Sequence, residues 1–154
     1  MADNAWKIAL LAALALAATA PACHDDDDDG GDLGENTGAP CETADECFPD
    51  VADGGLIGDP VCLDRVEDGY CTHTCADDAD CCAAEGECTN DLPQLCAPFE
   101  STGDYFCFLS CEEADLPAEY EDANEYCQEW AHPEFICRST GGGADNRKVC
   151  VPNG

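Results

Sequence analysis

The sequence predicts a small disulfide-rich fold, mostly loops and short strands in three cysteine-rich modules, with one helix near 117–130. Three observations predict it. Fourteen of the fifteen cysteines lie between Cys41 and Cys150, a density that reads as a cross-linked scaffold. Apolar residues other than Ala and Cys are sparse there, so cross-links must supply what the core cannot. Gly, Asp and Pro recur every few residues and leave room only for short elements.

The elements are taken from the N-terminus. Residues 1–22 read as an export signal. Ile8 to Ala20 is a run of thirteen residues, all apolar but Thr19, preceded by Lys7. As a helix it is about 20 Å long, short of the roughly 30 Å hydrocarbon core of a bilayer. That length fits a cleaved apolar segment better than a permanent span. The longest later apolar stretch, Tyr105 to Leu109, has five residues, so the mature chain is expected to cross no membrane.

Ala20-Pro21-Ala22 before Cys23 satisfies the small-residue rule for ordinary secretion. It also resembles a bacterial lipobox, in which small residues precede a lipid-modified cysteine. Cysteine parity favours the second reading. With Cys23 lipidated, the remaining fourteen cysteines can all pair, whereas an unpaired exported thiol would be a liability. Several acyl chains together hold a protein durably on a membrane. The alternative is a secreted protein with Cys23 free or paired.

Residues 23–40 then read as a lipid-anchored acidic tether. The stretch 24–40 has seven acidic residues, four glycines and almost nothing apolar, too little to offset its ordering entropy. Asp25-x-Asp27-x-Asp29-Gly30 resembles the start of a calcium loop, but Asn36 stands where the bidentate Glu should be.

Charge bounds the partners. The chain carries 35 acidic against 5 basic side chains, a net charge of −30. Nucleic acid is excluded as a partner, because its binding depends on neutralising phosphates with Lys and Arg. Cationic proteins, metal ions and basic polysaccharides are electrostatically permitted, and solubility alone would also explain the charge.

Two Cys-x3-Cys joints, Cys71 to Cys75 and Cys107 to Cys111, divide the remainder into modules of about 41–73, 74–109 and 110–154. The first holds Cys41, Cys47, Cys62 and Cys71. The second holds Cys75, Cys81, Cys82, Cys88, Cys96 and Cys107. The third holds Cys111, Cys127, Cys137 and Cys150. All three counts are even, so each group can close internally, with connectivity left open. The first two groups open with Cys-x5-Cys around an acidic tetrad, Cys41-ETADE-Cys47 and Cys75-ADDAD-Cys81. Neighbouring Cys81 and Cys82 are expected to pair elsewhere, since a ring closed between them is strained.

A lipobox-like cysteine, an Asp-rich tether, Cys-x-x-x-Asp-x-Cys, Gly69-Tyr70-Cys71-Thr72-x-x-Cys75 and the terminal Val149-Cys150-Val151-Pro152 together resemble the cysteine-rich repeat lipoproteins of the myxobacterial type. The resemblance covers residues 18–152 at the level of layout. It implies an exported, anchored, disulfide-bonded protein and no defined activity. Only the lipidation of Cys23 carries over.

One segment reads as helix. Leu116, Tyr120, Ala123, Cys127 and Trp130 recur at three- and four-residue steps, with Asp115 and Pro117 at the start and His132-Pro133 at the stop.

Candidate sites are few. Eight of the ten aromatics after residue 23 follow residue 98, as the small core of the largest unit or as a recognition face for a peptide or glycan. Cys71-Thr-His73-Thr-Cys75 puts thiols beside an imidazole. Zinc sites more often use Cys-x2-Cys spacing and reduced thiols, so disulfides are expected instead and no metal or cofactor. Only His24, His73 and His132 could serve as bases near neutral pH. No nucleophile elbow, zinc-protease or phosphate-loop motif is present, so no enzyme is expected.

The expected role is non-enzymatic: an envelope or surface lipoprotein that contacts an unknown protein or glycan partner. Rival readings are a secreted inhibitor-type protein presenting the loop Phe48 to Val61, and an acidic cation-binding protein.

Overall fold

A computed structural model describes residues 36–154, apart from 53, 89, 100–102 and 142–145. The export segment, Cys23 and the Asp run lie outside the described residues. The fold is the expected small disulfide-rich one. Three antiparallel hairpins follow one another: β1 (Pro60–Leu63) with β2 (Tyr70–His73), β3 (Gln94–Pro98) with β4 (Tyr105–Leu109), and β5 (Phe135–Ser139) with β6 (Lys148–Pro152). One helix, α1 (Ala123–Trp130), precedes the last hairpin.

One lacing pattern recurs in all three hairpins. Cys62 faces Cys71, Cys96 faces Cys107 and Cys137 faces Cys150 across their strands. Directly opposed residues share a face, yet these pairs do not bond to each other. Each sulfur reaches back to an upstream strap instead. The bridges are Cys41–Cys62 and Cys47–Cys71, Cys75–Cys96 and Cys81–Cys107, and Cys111–Cys137 and Cys127–Cys150. The first strap cysteine always takes the first strand and the second takes the second strand, so the strap lies over the cysteine-bearing face. Closing a loop of about twenty residues contributes on the order of 3 kcal/mol. A seventh bridge, Cys82–Cys88, closes a short turn with a sequence separation of 6.

The acidic tetrads shape the first two straps. Each forms a single 3-10 turn, Ala44–Glu46 and Asp78–Asp80. The Glu46 carboxylate accepts the N–H of Glu42 at 2.7 Å, and that of Asp80 accepts the N–H of Ala76 at 2.7 Å. Such a reach-back satisfies donors that a short helix start otherwise leaves orphaned. In the third strap α1 replaces the turn, and Cys127 is its buried anchor.

The β1–β2 turn needs its glycine. Gly69 has φ +71°, and a Cβ there would meet the Cys41 carbonyl oxygen at 2.2 Å and both sulfurs of Cys41–Cys62 at 3.0 Å. Only a residue without a side chain lets the strap pass so close.

Two boundaries differ from the sequence reading. The helix begins at Ala123 rather than Pro117. The Asp122 carboxylate accepts the N–H of Asn124 at 2.8 Å and fixes the start there. Tyr120 matches the helical spacing from outside the helix: it lies in the preceding turn, and its hydroxyl accepts the Trp130 indole N–H at 2.6 Å. The tether also stops short of residue 40. Asn36 and Ala39 are buried, because the backbone of 38–39 pairs with Cys71: Gly38 N–H donates to Cys71 O and Cys71 N–H donates to Ala39 O, both at 2.9 Å.

The main core draws on all three hairpins rather than on the largest unit alone. Leu63 and Tyr70 from the first join Leu95, Ala97, Phe106 and Phe108 from the second, and Tyr126, Phe135, Val149 and Val151 from the third group. Thr72 Oγ1 donates to Cys107 O at 2.6 Å, Cys111 N–H donates to Lys148 O at 3.0 Å, and Glu67 N–H donates to the Glu134 carboxylate at 2.8 Å. The first hairpin is thus bonded to the second, the β1–β2 turn to the residue before β5, and the residue two past the end of β4 to β6. Of the eight late aromatics, Phe106, Phe108, Tyr126 and Phe135 are buried, while Tyr105 stands 47% exposed.

Candidate functional site

The three hairpins leave a cleft of about 570 Å³ between them, within the range of small-ligand sites. Arg65, from the turn between β1 and β2, forms one side. Pro98, at the end of β3, and Phe99 form the second. The β5–β6 hairpin forms the third, with Arg138, Val149 and Val151. Period-two alternation explains this third side. Arg138 is directly opposite Val149, and Ile136 opposite Val151, so these four share one face of the hairpin. Lys148 points the other way and lines a separate, shallower groove with Leu116 and Tyr120.

The cleft's floor is firmly seated. The Phe99 ring lies 5.6 Å from that of Phe108 and 6.4 Å from that of Phe106, centroid to centroid. Val149 is fully buried. The charged side chains of the described lining are basic, in an otherwise acidic chain. After Cys23 the chain has four basic residues, Arg65, Arg138, Arg147 and Lys148, and two of them line this cleft. Its described lining holds no Asp or Glu side chain. Arg147 is engaged elsewhere, donating to Asp78 at 2.7 Å in an exposed ion pair between the second and third groups.

The two cysteines that flank His73 are taken up by disulfides, Cys71 with Cys47 and Cys75 with Cys96. The His73 ring is fully buried and makes a 2.7 Å bond to the equally buried Glu87. Glu87 sits inside the ring closed by Cys82–Cys88, where its carboxylate also accepts the N–H groups of Cys82 and Ala84. The other ring nitrogen, Nδ1, lies 3.0 Å from Thr74 O. Nδ1 must donate to the Thr74 carbonyl, and with Glu87 ionised Nε2 donates as well, so the geometry suits a doubly protonated imidazolium. Burial disfavours charge on both groups, but their mutual bond and the backbone contacts prevail: the His73 pKa is raised and the Glu87 pKa is lowered. The pair is a clamp. Asn36 and Thr37 bond to the backbone of Gly86 and Glu87 on its far side, so it ties the N-terminal end of the described chain to the first two hairpins.

The loop Phe48 to Val61 is partly anchored. Phe48 is buried, with Val51 and Leu56 packed beside it. Asp59 N–H donates to Thr74 Oγ1 at 2.8 Å, and Thr74 N–H donates to Asp59 O at 2.9 Å. Ile57 stands 46% exposed at its crest. His132 donates from Nε2 to Glu67 O at 3.1 Å, a structural bond between the first and third groups. His24 lies outside the described residues.

Sequence reasoning missed the cleft. Arg65 and Arg138 are far apart in the chain, and no local spacing signals their approach. Seven disulfides in so short a chain fit an exported protein, and no described helix is long and apolar enough to cross a membrane. Neither a protein-family model, nor a curated protein, nor a solved structure matches this chain.

Proposed function

We propose that this chain is an exported lipoprotein, anchored through Cys23, whose laced ectodomain binds a protein partner at the cell envelope without catalysing a reaction. One observation carries the reading: every cysteine from Cys41 to Cys150 is paired within the fold, so parity leaves Cys23 alone to be accounted for. The non-enzymatic part rests on the candidate bases. His73 is bound into a buried clamp and His132 into a structural bond, so neither is offered to a substrate.

The test is the intact mass of the full protein taken from its native membrane fraction, with and without reduction and alkylation. The expected result is a chain beginning at Cys23 with a diacylglyceryl adduct, and fourteen thiols that react only after reduction. An unmodified soluble chain carrying all fifteen cysteines overturns it.

The exposed Ile57 on its pinned loop favours a second reading, a protease inhibitor docking through 48–61. A panel covering the protease classes decides it, and absence of inhibition throughout removes it.

A further inference from the structure

We propose that the cleft between the three hairpins captures the C-terminal end of a partner peptide, its free carboxylate at Arg138 and its last apolar side chain against Phe99 and Val151. This rests on reading the chain as a binding protein and names what that protein would take.

Three observations select this ligand. The first is the local charge. Arg138 makes no ion pair or side-chain hydrogen bond among the described residues, it lines the cleft, and the described lining holds no Asp or Glu side chain, its one carboxylate being that of Gly154. An arginine fork is suited to holding a carboxylate by two parallel bonds. The second is the wall. Pro98 and Phe99 are half-buried and present apolar surface to the same space, with Val151 beneath, so the group next to the carboxylate is apolar on that side. The third is the field of the whole protein. At a net charge of −30 the surface repels polyanions, and beyond about 8 Å that repulsion is screened at physiological salt. A nucleic acid or a sulfated glycan must approach with many charges and meets the full field. A peptide terminus brings a single negative charge to a cleft lined by Arg138. Basic residues upstream would meet the acidic exterior and add to the on-rate. The volume, about 570 Å³, holds a few residues of extended chain rather than a folded domain.

Fluorescence anisotropy on the full oxidised chain tests this. The probe is an N-terminally fluorescein-labelled pentapeptide, Lys-Gly-Lys-Val-Phe, with a free C-terminal carboxylate; the control is the same peptide as its C-terminal amide. Saturable binding of the acid is expected, with the amide at least tenfold weaker. Arg138→Gln should weaken the acid by about tenfold and leave the amide unchanged, and Arg138→Lys should fall between. Arg138 is exposed, so these variants keep the fold, and a mass showing seven disulfides checks it. As an independent readout, the Arg138 Nε–H resonance should move on adding the acid and not the amide. Equal binding of acid and amide, no saturation up to millimolar peptide, or an Arg138→Gln variant that binds normally overturns the proposal. Anchoring is decided separately by the intact mass, so failure of the lipoprotein reading and failure of the cleft are distinguishable.

Discussion

The ring of Tyr70 lies 4.7 Å from that of Phe135, centroid to centroid. Phe108 lies 6.5 Å away on the stacked side of the same tyrosine. One aromatic from each hairpin therefore meets at a single point, and Tyr70 is the shared member. The contact makes one core out of three laced units, none of which is large enough to exclude water alone.

Truncating that shared ring should be felt in all three hairpins. Tyr70→Ala removes a fully buried aromatic and is expected to cost about 3–5 kcal/mol. Hydrogen exchange measured with the disulfides intact should show protection lost in β3–β4 and β5–β6 as well as in β1–β2. Loss confined to β1–β2 would mean that the hairpins are energetically separate.

The His73–Glu87 clamp gives stability a pH window. The His73 pKa is raised on folding, so its contribution is complete below the ordinary imidazole value and is lost as pH rises through the folded value. The Glu87 pKa is lowered, so its contribution is complete above the ordinary carboxylate value and is lost as pH falls through the folded value. Stability from the pair should peak between these limits. Ring-proton titration by NMR should find His73 protonated above pH 6.5, and Glu87→Gln should bring its pKa down. An unshifted His73 in the native protein contradicts the imidazolium assignment.

Cys82–Cys88 should be the first bridge to open. In every other disulfide at least one cysteine is buried, whereas Cys82 is exposed and Cys88 half-buried. Thiolate attack needs access to a sulfur. Under limiting reductant, alkylation and mass mapping should find Cys82 and Cys88 labelled before any other pair. Early labelling of Cys127 and Cys150 would show that exposure does not govern the order.

The Tyr126 hydroxyl is buried with no hydrogen-bond partner among the described residues. Burial pushes its pKa up to about 12, with the nearby Asp115 and Tyr120 adding to the shift. A raised phenol pKa means that stability holds below pH 10 and is lost as pH rises through about 12. Tyr126→Phe removes the unsatisfied group and keeps the ring. It should leave the denaturation midpoint unchanged or raise it, by up to about 1 kcal/mol, and soften the loss of stability at alkaline pH. A loss above about 1 kcal/mol would point to a partner for that hydroxyl.

What the sequence determined by itself is that the cysteines can close locally. Even cysteine counts on either side of each joint allow closure within each group, and short acidic turns such as 43–46 and 77–80 carry their own capping carboxylates. These signals are legible because they depend on residues a few positions apart. The helix start is not legible for a related reason: Tyr120 satisfies the spacing of a helix face, and only the cap at Asp122 shows that the chain is still turning there. The tertiary structure alone decided which sulfur takes which, since four cysteines allow three pairings and only strand register selects one. It also decided that Asn36 to Ala39 pack against β2, that Tyr70, Phe108 and Phe135 share one core, and that Arg65 and Arg138 line one cleft. Those contacts join positions whose separation leaves no trace in composition or period. They form because three hairpins with little apolar surface each must bury it against one another.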